Sequence, residues 1–310
     1  MGEASLLSVP NVSEGRDRAL IGEIAAAFTA GSGGDGVRLL DVHSDADHHR
    51  SVFTVAGDGP ALVDGLIAAA RIAVERIDVV AAADPDARQH PHVGALDVAP
   101  IVYLDPRRRG AACANALVLA ERVGEELGVP VFLYGELTAD KSRPPRHRAQ
   151  IRRGGVRALA ERMSRDEAAS EPALRPDFGP SRMHPTAGAT LVAARPPLVA
   201  FNLQLAPPAG IELAREIASE IRESADGGLP GVRAIGVLLA GEVAQVSMNI
   251  ERPFDISLAD VVDAVRRRAP LISAELVGLA PAGAMAGFPE DLPMPGFDPS
   301  RHVIENALGS

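Results

Sequence analysis

The chain has 310 residues, of which 46% are hydrophobic, 23% are charged and 3% are aromatic. This is the composition of a globular protein, and the length suffices for one large domain or two ordinary ones with buried cores. The formal net charge of -10 argues against general binding to nucleic acid or to anionic membranes, because both are polyanions.

The first half of the chain alternates between strand and helix patterns. Residues 6–10 predict a strand, and residues 16–30 predict a helix with one apolar face, for which Ser13 is the expected N-cap. Further strands are predicted at 37–43, 50–56, 98–104 and 129–134, and further helices at about 57–78 and 109–127. This is a β-α-β-β-α-β order followed by one more helix and strand.

The second half repeats the same order. Strands are predicted at 198–205, 232–240, 243–250 and 272–279, and helices at 211–223 and 258–268. The order is that of a ferredoxin-like unit. The sequence therefore predicts an α/β (α+β) protein of two ferredoxin-like subdomains, at residues 1–178 and 179–310. An irregular, arginine-rich stretch at 136–189 lies between their elements, and an extended tail from Phe288 ends the second.

Cellular context is indicated by what the sequence lacks. Cys113 is the only cysteine, which excludes a disulfide within the chain. Polar residues begin at Asn11, too early for a signal peptide, and no apolar run approaches the ~18 residues of a membrane helix. We therefore expect a cytoplasmic protein that does not associate with membranes.

The stretch His90-Pro91-His92-Val93-Gly94-Ala95-Leu96-Asp97 carries the strongest chemical signal. A histidine titrates near neutral pH, and Pro91 restricts the backbone of His90, so this imidazole is suited to proton transfer. A purely structural turn histidine is the alternative. Asp97 has two open roles, since it either orients His90 or His92 or caps the turn before the next strand.

Other polar residues at strand ends are candidates for substrate binding or for a metal. Arg50 opens a strand, where it either clamps a carboxylate or is solvated, and Asn11 is either a substrate contact or a turn residue. The basic residues at 141–157 either form a solvated face or attract a polyanionic cofactor. Zinc on His43, His49 and His90 is conceivable, but no HExxH or CxxC spacing is present, so we expect no metal.

Several short stretches, taken in order, resemble the formiminotransferase domain of the glutamate formimidoyltransferase family. The resemblance runs from about residue 6 to about residue 281, and no single stretch is decisive. Besides residues 90–97, it rests on Val9-Pro10-Asn11-Val12-Ser13-Glu14-Gly15, Leu39-Leu40-Asp41-Val42, Arg50-Ser51-Val52-Phe53-Thr54, Asp177-Phe178-Gly179-Pro180-Ser181, Ala200-Phe201-Asn202, Ala244-Gln245-Val246-Ser247 and Glu275-Leu276-Val277-Gly278-Leu279.

The resemblance implies transfer of a formimidoyl group from N-formimidoyl-L-glutamate to N5 of tetrahydrofolate, a step of histidine degradation and one-carbon metabolism. It implies His90 as the general acid/base and a homodimer of chains whose two sheets stack face to face with helices outside. The residues that it implies for binding the glutamate group are Asn11, His43, Arg50 and His92. The folate-binding segment falls on Gly179, Pro180, Ser181, Arg182, Met183, His184, Pro185, Thr186, Ala187 and Gly188.

The sequence departs from the family pattern at three positions. His92 stands in place of an arginine, His43 in place of an aspartate and Ala187 in place of an aromatic residue. The first two changes concern the expected glutamate side, so a folate-independent, metal-dependent hydrolase and a non-catalytic binding protein are the alternatives. We expect the cyclodeaminase domain of some family members to be absent and a separate deaminase to act downstream.

Overall fold

A computed structural model describes residues 6–31, 36–82, 92–138, 146–165 and 174–309. It divides into two compact units, of which the first ends at Pro196 and the second begins at Pro197. The division lies further along the chain than the boundary predicted between residues 178 and 179, because the strand Thr190–Arg195 pairs with strands of the first unit. Each unit combines a sheet with helices, so the predicted α/β (α+β) class is confirmed. In the described ranges, no helix has both the length and the apolar character to span a bilayer.

The described part of the first unit contains one seven-stranded sheet. Its strands are β1 (Leu6–Ser8), β2 (Asn11–Val12), β3 (Val37–Asp45), β4 (Arg50–Gly57), β5 (Leu96–Val102), β6 (Val131–Leu133) and β7 (Thr190–Arg195). β1 and β2 lie between β4 and β5, and β3 pairs with the far side of β4, all antiparallel. β7 lies between β5 and β6 and runs parallel to both. The strand β7 was not predicted from the sequence.

Three long helices cover one face of this sheet: α1 (Arg18–Ala30), α2 (Gly59–Arg76) and α3 (Arg109–Glu126). The predicted apolar face of α1 is confirmed, because its buried residues recur at helical spacing. The predicted N-cap is wrong. Asp17 caps α1 by accepting the N–H groups of Ala19 and Leu20, since the helix begins only at Arg18. The Ser13 hydroxyl instead donates to the Gly94 carbonyl, 2.7 Å away.

Two short helices lie within the stretch that was predicted to be irregular. They are α4 (Arg148–Arg152) and α5 (Gly155–Met163), and the left-handed backbone of Gly154 separates them. Their apolar side chains pack with Phe132 and Leu191, whereas the strand neighbours of those two residues pack with α1–α3. Because side chains alternate along a strand, α4 and α5 cover the opposite face of the sheet.

The second unit has the predicted ferredoxin-like order. Its strands β8 (Val199–Leu205), β9 (Val232–Leu238), β10 (Ala244–Ile250) and β11 (Leu271–Val277) form an antiparallel sheet in the order β11-β8-β10-β9. The helices α6 (Ile211–Ile221) and α7 (Leu258–Arg266) bury their apolar faces against one side of it. The segment that was predicted to be an extended tail includes two short helices, α8 (Pro299–His302) and α9 (Ile304–Gly309).

Candidate functional site

A polar pocket lies in the first unit where β2, β4 and β5 meet. Three of the four predicted glutamate-side residues, Asn11, Arg50 and His92, take part in it, and they come from three separate parts of the chain. The complete lining consists of Asn11, Val12, Ser13, His48, Arg50, His92, Asp97 and Arg152. The pocket therefore gathers imidazole, guanidinium, amide and hydroxyl groups around a single carboxylate.

Strand register explains how Asn11 reaches this place and where His43 lies. Asn11 is opposite Val52 of β4 on one side and opposite Val98 of β5 on the other. His43 of β3 is also opposite Val52. Directly opposed residues of antiparallel strands share a face of the sheet, so His43 and Asn11 lie on the same face, about 10 Å apart by strand spacing. His43 is not among the residues that line the pocket.

A β-bulge places Asp97 in the pocket. Val98 of β5 is opposite Asn11 of β2, and Leu96 is opposite the next residue, Val12. Asp97 lies between them and has no residue opposite it on β2. Leu96 packs on the side of α1–α3 and Val98 on the side of α4 and α5. An extra residue of this kind interrupts the ladder and redirects its side chain. Regular alternation alone does not predict this position for the carboxylate.

The Asp97 carboxylate, whose residue is 4% exposed, uses both oxygens within the protein. Oδ1 accepts the backbone N–H of Val93 at 2.8 Å, and Oδ2 forms an ion pair with Nη2 of Arg152. The first bond fixes the backbone next to His92. The predicted turn-capping role of Asp97 corresponds to this bond, while the ion pair was not predicted.

Arg152 occupies the last position of α4, and its side chain is 16% exposed. The guanidinium of Arg162, on α5, donates to the carbonyls of Gln150 and Ile151 at 2.9 and 2.5 Å, and to that of Arg153 at 3.1 Å. These are orphan carbonyls at the end of a short helix, so Arg162 stabilises the backbone that carries Arg152. Burial lowers the pKa of Arg162.

The predicted basic cluster at 141–157 is divided among different partners. Arg146 binds the Asp177 carboxylate, with Nη2 at 2.6 Å from Oδ1 and 2.5 Å from Oδ2, and Arg152 pairs with Asp97. Arg153 and Arg157 are exposed. Lys141 and Arg143 lie outside the described residues. At least two members of the cluster are therefore engaged with single carboxylates of the chain.

The turn between β3 and β4 contributes His48 to the pocket. His48 is 6% exposed, and its Nε2 is 3.6 Å from Oδ2 of Asp45. The adjacent His49 accepts the Gly15 N–H on Nδ1 at 3.3 Å. Within the described ranges, no three His, Cys, Asp or Glu side chains are arranged to hold a metal ion.

The predicted acid/base, His90, lies outside the described residues together with Pro91. The backbone that follows it is held by several hydrogen bonds. Ser13 N–H donates to the Ala95 carbonyl at 2.9 Å, Ala95 N–H donates to the Ala187 carbonyl at 2.9 Å, and Ala189 N–H donates to the Val93 carbonyl at 2.8 Å. The loop after His90 is thus attached both to the first strand motif and to the end of the predicted folate-binding segment.

The predicted folate-binding segment, residues 179–188, begins and ends on glycines with positive φ, 76° at Gly179 and 72° at Gly188. A Cβ at Gly188 would lie 2.2 Å from the Val93 carbonyl oxygen, and one at Gly179 would lie 2.7 Å from that of Val129. The protein's own backbone therefore requires a glycine at both positions. Pro180, Ser181 and Arg182 are exposed.

His184 fixes the second half of this segment. Its Nδ1 accepts the N–H of Ala187 at 3.0 Å and that of Thr186 at 3.3 Å. Burial lowers the pKa of His184. An imidazole that accepts at Nδ1 is neutral and carries its proton on Nε2.

The second unit has a polar sheet face, opposite the face that packs on α6 and α7. Three of the stretches that carry the family resemblance meet there. Asn202 donates to Glu275 Oε2 at 2.7 Å, and Ser273 donates to Gln204 Oε1 at 3.0 Å. Gln245 is opposite Gln204 and 1% exposed, and neither of its amide atoms has a hydrogen-bond partner among the described residues.

Comparison with known proteins gives a consistent result over nearly the whole chain. Residues 5–195 match the model of the family described as "Formiminotransferase domain, N-terminal subdomain". The chain is 37% identical to the "Glutamate formimidoyltransferase" of Streptococcus pyogenes over 97% of both chains. It is 36% identical to the protein of the same name from Thermoplasma acidophilum over 97% of this chain and 96% of the relative. It is 38% identical to the chicken "Formimidoyltransferase-cyclodeaminase", over 89% of this chain and 50% of the relative.

Proposed function

Since this chain belongs to the formiminotransferase domain family, we propose that it transfers a formimidoyl group from N-formimidoyl-L-glutamate to N5 of tetrahydrofolate. The observation that carries the proposal is the identity of 37% with a glutamate formimidoyltransferase over 97% of both chains. The products are 5-formimidoyltetrahydrofolate and L-glutamate, which places the reaction in histidine degradation and one-carbon metabolism.

The reaction is an amidine exchange. The N5 amine of tetrahydrofolate attacks the imino carbon, and a tetrahedral intermediate forms. The carbon–nitrogen bond to glutamate then breaks, and glutamate leaves with its amine protonated. Because an unprotonated amine is a poor leaving group, a general acid with a pKa near neutral is required.

We assign this proton transfer to His90, which takes a proton from N5 and delivers it to the departing glutamate nitrogen. General acid/base catalysis contributes about 10²–10⁴-fold in rate. Holding the two substrates together contributes up to ~7–11 kcal/mol, the larger share. The network around Val93 and Ala95 supports this assignment, because it ties the loop after His90 to the pocket and to residues 187–189.

The glutamate group is proposed to bind in the pocket beside this loop. Arg50 supplies a guanidinium for a carboxylate, and Asn11 and His92 supply further polar contacts, all three from the pocket lining. His43 is proposed to contact the donor from the same sheet face as Asn11. His43 and His92 differ from the family pattern, so the choice of donor is the part of the proposal that most needs measurement.

Tetrahydrofolate is proposed to bind along residues 179–188 as a co-substrate. The exposed Pro180, Ser181 and Arg182 are available to a ligand, and the Ala187 carbonyl is bonded to the loop that follows His90. No metal takes part in the proposed reaction. A homodimer and a separate downstream cyclodeaminase complete the proposal, and sedimentation analysis tests the former.

The proposal is tested by measuring glutamate release from N-formimidoyl-L-glutamate with and without tetrahydrofolate, for the native chain and for His90→Ala. Release that requires folate and falls by at least 10²-fold in the variant supports both the transferase and its acid/base. Release without folate, abolished by a chelator, would replace the transferase with a hydrolase. Absence of release in both mixtures would exclude this donor.

A further inference from the structure

We infer that Arg152 is a substrate-specificity residue, which binds one of the two carboxylates of the glutamate group while Arg50 binds the other. The inference extends the proposed function and rests on it for the identity of the ligand. It concerns a residue that the sequence assigned only to a general basic cluster. The two arginines belong to different elements, β4 and α4, and both line the polar pocket.

The position of Arg152 is fixed before any ligand binds. Its Nη2 pairs with Asp97, a carboxylate that is itself held by the Val93 N–H. The helix end that carries it is held by Arg162 through three carbonyls. A guanidinium that is oriented in this way loses little side-chain entropy when it binds a further oxygen.

Arg152 also retains donors for a ligand. A guanidinium has five N–H groups in a fixed fork, and the single bond to Asp97 uses one of them. Nε of Arg152 is buried and has no hydrogen-bond partner among the described residues. A buried donor of a charged group is costly to leave unsatisfied, and a carboxylate oxygen in the pocket would satisfy it.

The number of guanidinium groups in the pocket fits a dicarboxylate. Its lining contains the two guanidinium groups of Arg50 and Arg152 and one carboxylate, that of Asp97. Both oxygens of Asp97 are engaged within the protein, by Val93 and by Arg152. A ligand with one carboxylate supplies an anionic group to one of the two arginines, whereas the glutamate group brings a carboxylate for each of them. Discrimination between dicarboxylate and monocarboxylate donors follows directly.

The test measures dissociation constants by calorimetry for three unreactive ligands. N-formyl-L-glutamate has a carbonyl oxygen in place of the imino nitrogen. N-formyl-4-aminobutyrate lacks its α-carboxylate, and N-formyl-L-2-aminobutyrate lacks its γ-carboxylate. Each ligand is titrated into the full native chain and into Arg50→Lys, Arg152→Lys and Arg152→Gln. Arg153→Gln is the matched control, because Arg153 is the exposed next residue and does not line the pocket.

We expect the native chain to bind N-formyl-L-glutamate about 10- to 100-fold more tightly than either truncated ligand, the usual effect of a charge-assisted hydrogen bond. Arg152→Gln should lose a similar factor on N-formyl-L-glutamate, and Arg152→Lys a smaller one. For the Arg152 variants, this loss of affinity should disappear with the truncated ligand that lacks the carboxylate bound by Arg152. Arg50→Lys should show the same behaviour with the other truncated ligand. Arg153→Gln should match the native chain throughout.

Several results would overturn the inference. If the Arg152 variants lose equal affinity for all three ligands, the role of Arg152 is structural. If the effects of the Arg50 and Arg152 variants disappear with the same truncated ligand, the two arginines do not bind different carboxylates. Absence of any preference for N-formyl-L-glutamate, or of any binding to it, would also exclude it. If Arg152→Gln does not fold, Arg152→Lys carries the test, because a lysine can still pair with Asp97. Binding that follows the expected pattern without folate-dependent turnover would instead refute the proposed reaction alone.

Discussion

Asp97 and Arg152 form a largely enclosed ion pair between residues that are 55 positions apart in sequence. The pair joins a bulge of β5 to the end of α4, and the second oxygen of Asp97 holds the backbone at Val93. The same carboxylate thus connects the loop that follows His90 with a wall of the pocket. Both the stability of the first unit and the geometry of the pocket depend on it.

Asp97→Asn should destabilise the protein by about 3 kcal/mol, because it leaves the Arg152 cation partly buried without its anion. The amide oxygen can still accept the Val93 N–H, so the loss reports mainly the ion pair. Denaturation by urea measures it as a change in the midpoint at constant slope. Glu251→Gln removes a carboxylate from an exposed pair with Arg233 and should cost under ~1 kcal/mol. Equal losses in the two variants would contradict the prediction.

The second unit could be predicted almost completely from its sequence. Each of its helices and strands has an apolar face of the right period, so α6, α7 and four strands occur within a few residues of the predicted bounds. The strand β7 was missed for a physical reason. It is buried on both faces between β5 and β6, so it shows no alternation, and Ala193 and Ala194 have weak strand preference.

The site could be predicted only in part. Asn11 and Arg50 were found because polar residues at strand ends stand out in a sequence. Arg152 could not be found in this way, since its pairing depends on an extra residue in β5 and on a helix of five residues. A single charged residue in a basic run shows no preference for one distant carboxylate. Ion pairs between residues far apart in sequence depend on the tertiary structure and produce no pattern in the neighbouring sequence.

Gln245→Met should stabilise the second unit by about 1–3 kcal/mol. The side chain of Gln245 is 1% exposed, and its amide has no hydrogen-bond partner among the described residues, so its burial carries a desolvation cost that methionine of similar volume avoids. Thermal and urea unfolding measure the gain. Asn202→Leu, on the same sheet face, should have the opposite effect because it breaks the bond to Glu275. Destabilisation by Gln245→Met would indicate that water or a ligand satisfies the amide in solution.

His184 should make stability depend on pH below its ordinary pKa of 6.5. Burial lowers the pKa in the folded chain, so the unfolded chain binds more protons as the pH falls, and the free energy of unfolding decreases. Protonation of Nδ1 also removes its acceptor for the Ala187 N–H. Urea unfolding between about pH 7.5 and 5.5 should show a shallower decrease for His184→Gln than for the native chain. Ser181→Ala should leave the decrease unchanged, and parallel curves for His184→Gln and the native chain would refute the role of His184.

Arg162→Gln should weaken both the first unit and its pocket. The change removes a cation that donates to the carbonyls at the end of α4, which we expect to cost about 2 kcal/mol. Because α4 carries Arg152, the variant should also bind N-formyl-L-glutamate less tightly. Arg157→Gln, an exposed change that lies on α5 as Arg162→Gln does, should affect neither property. Urea unfolding and calorimetry measure the two effects separately. A loss of stability without any loss of affinity would show that the end of α4 does not position Arg152 for the ligand.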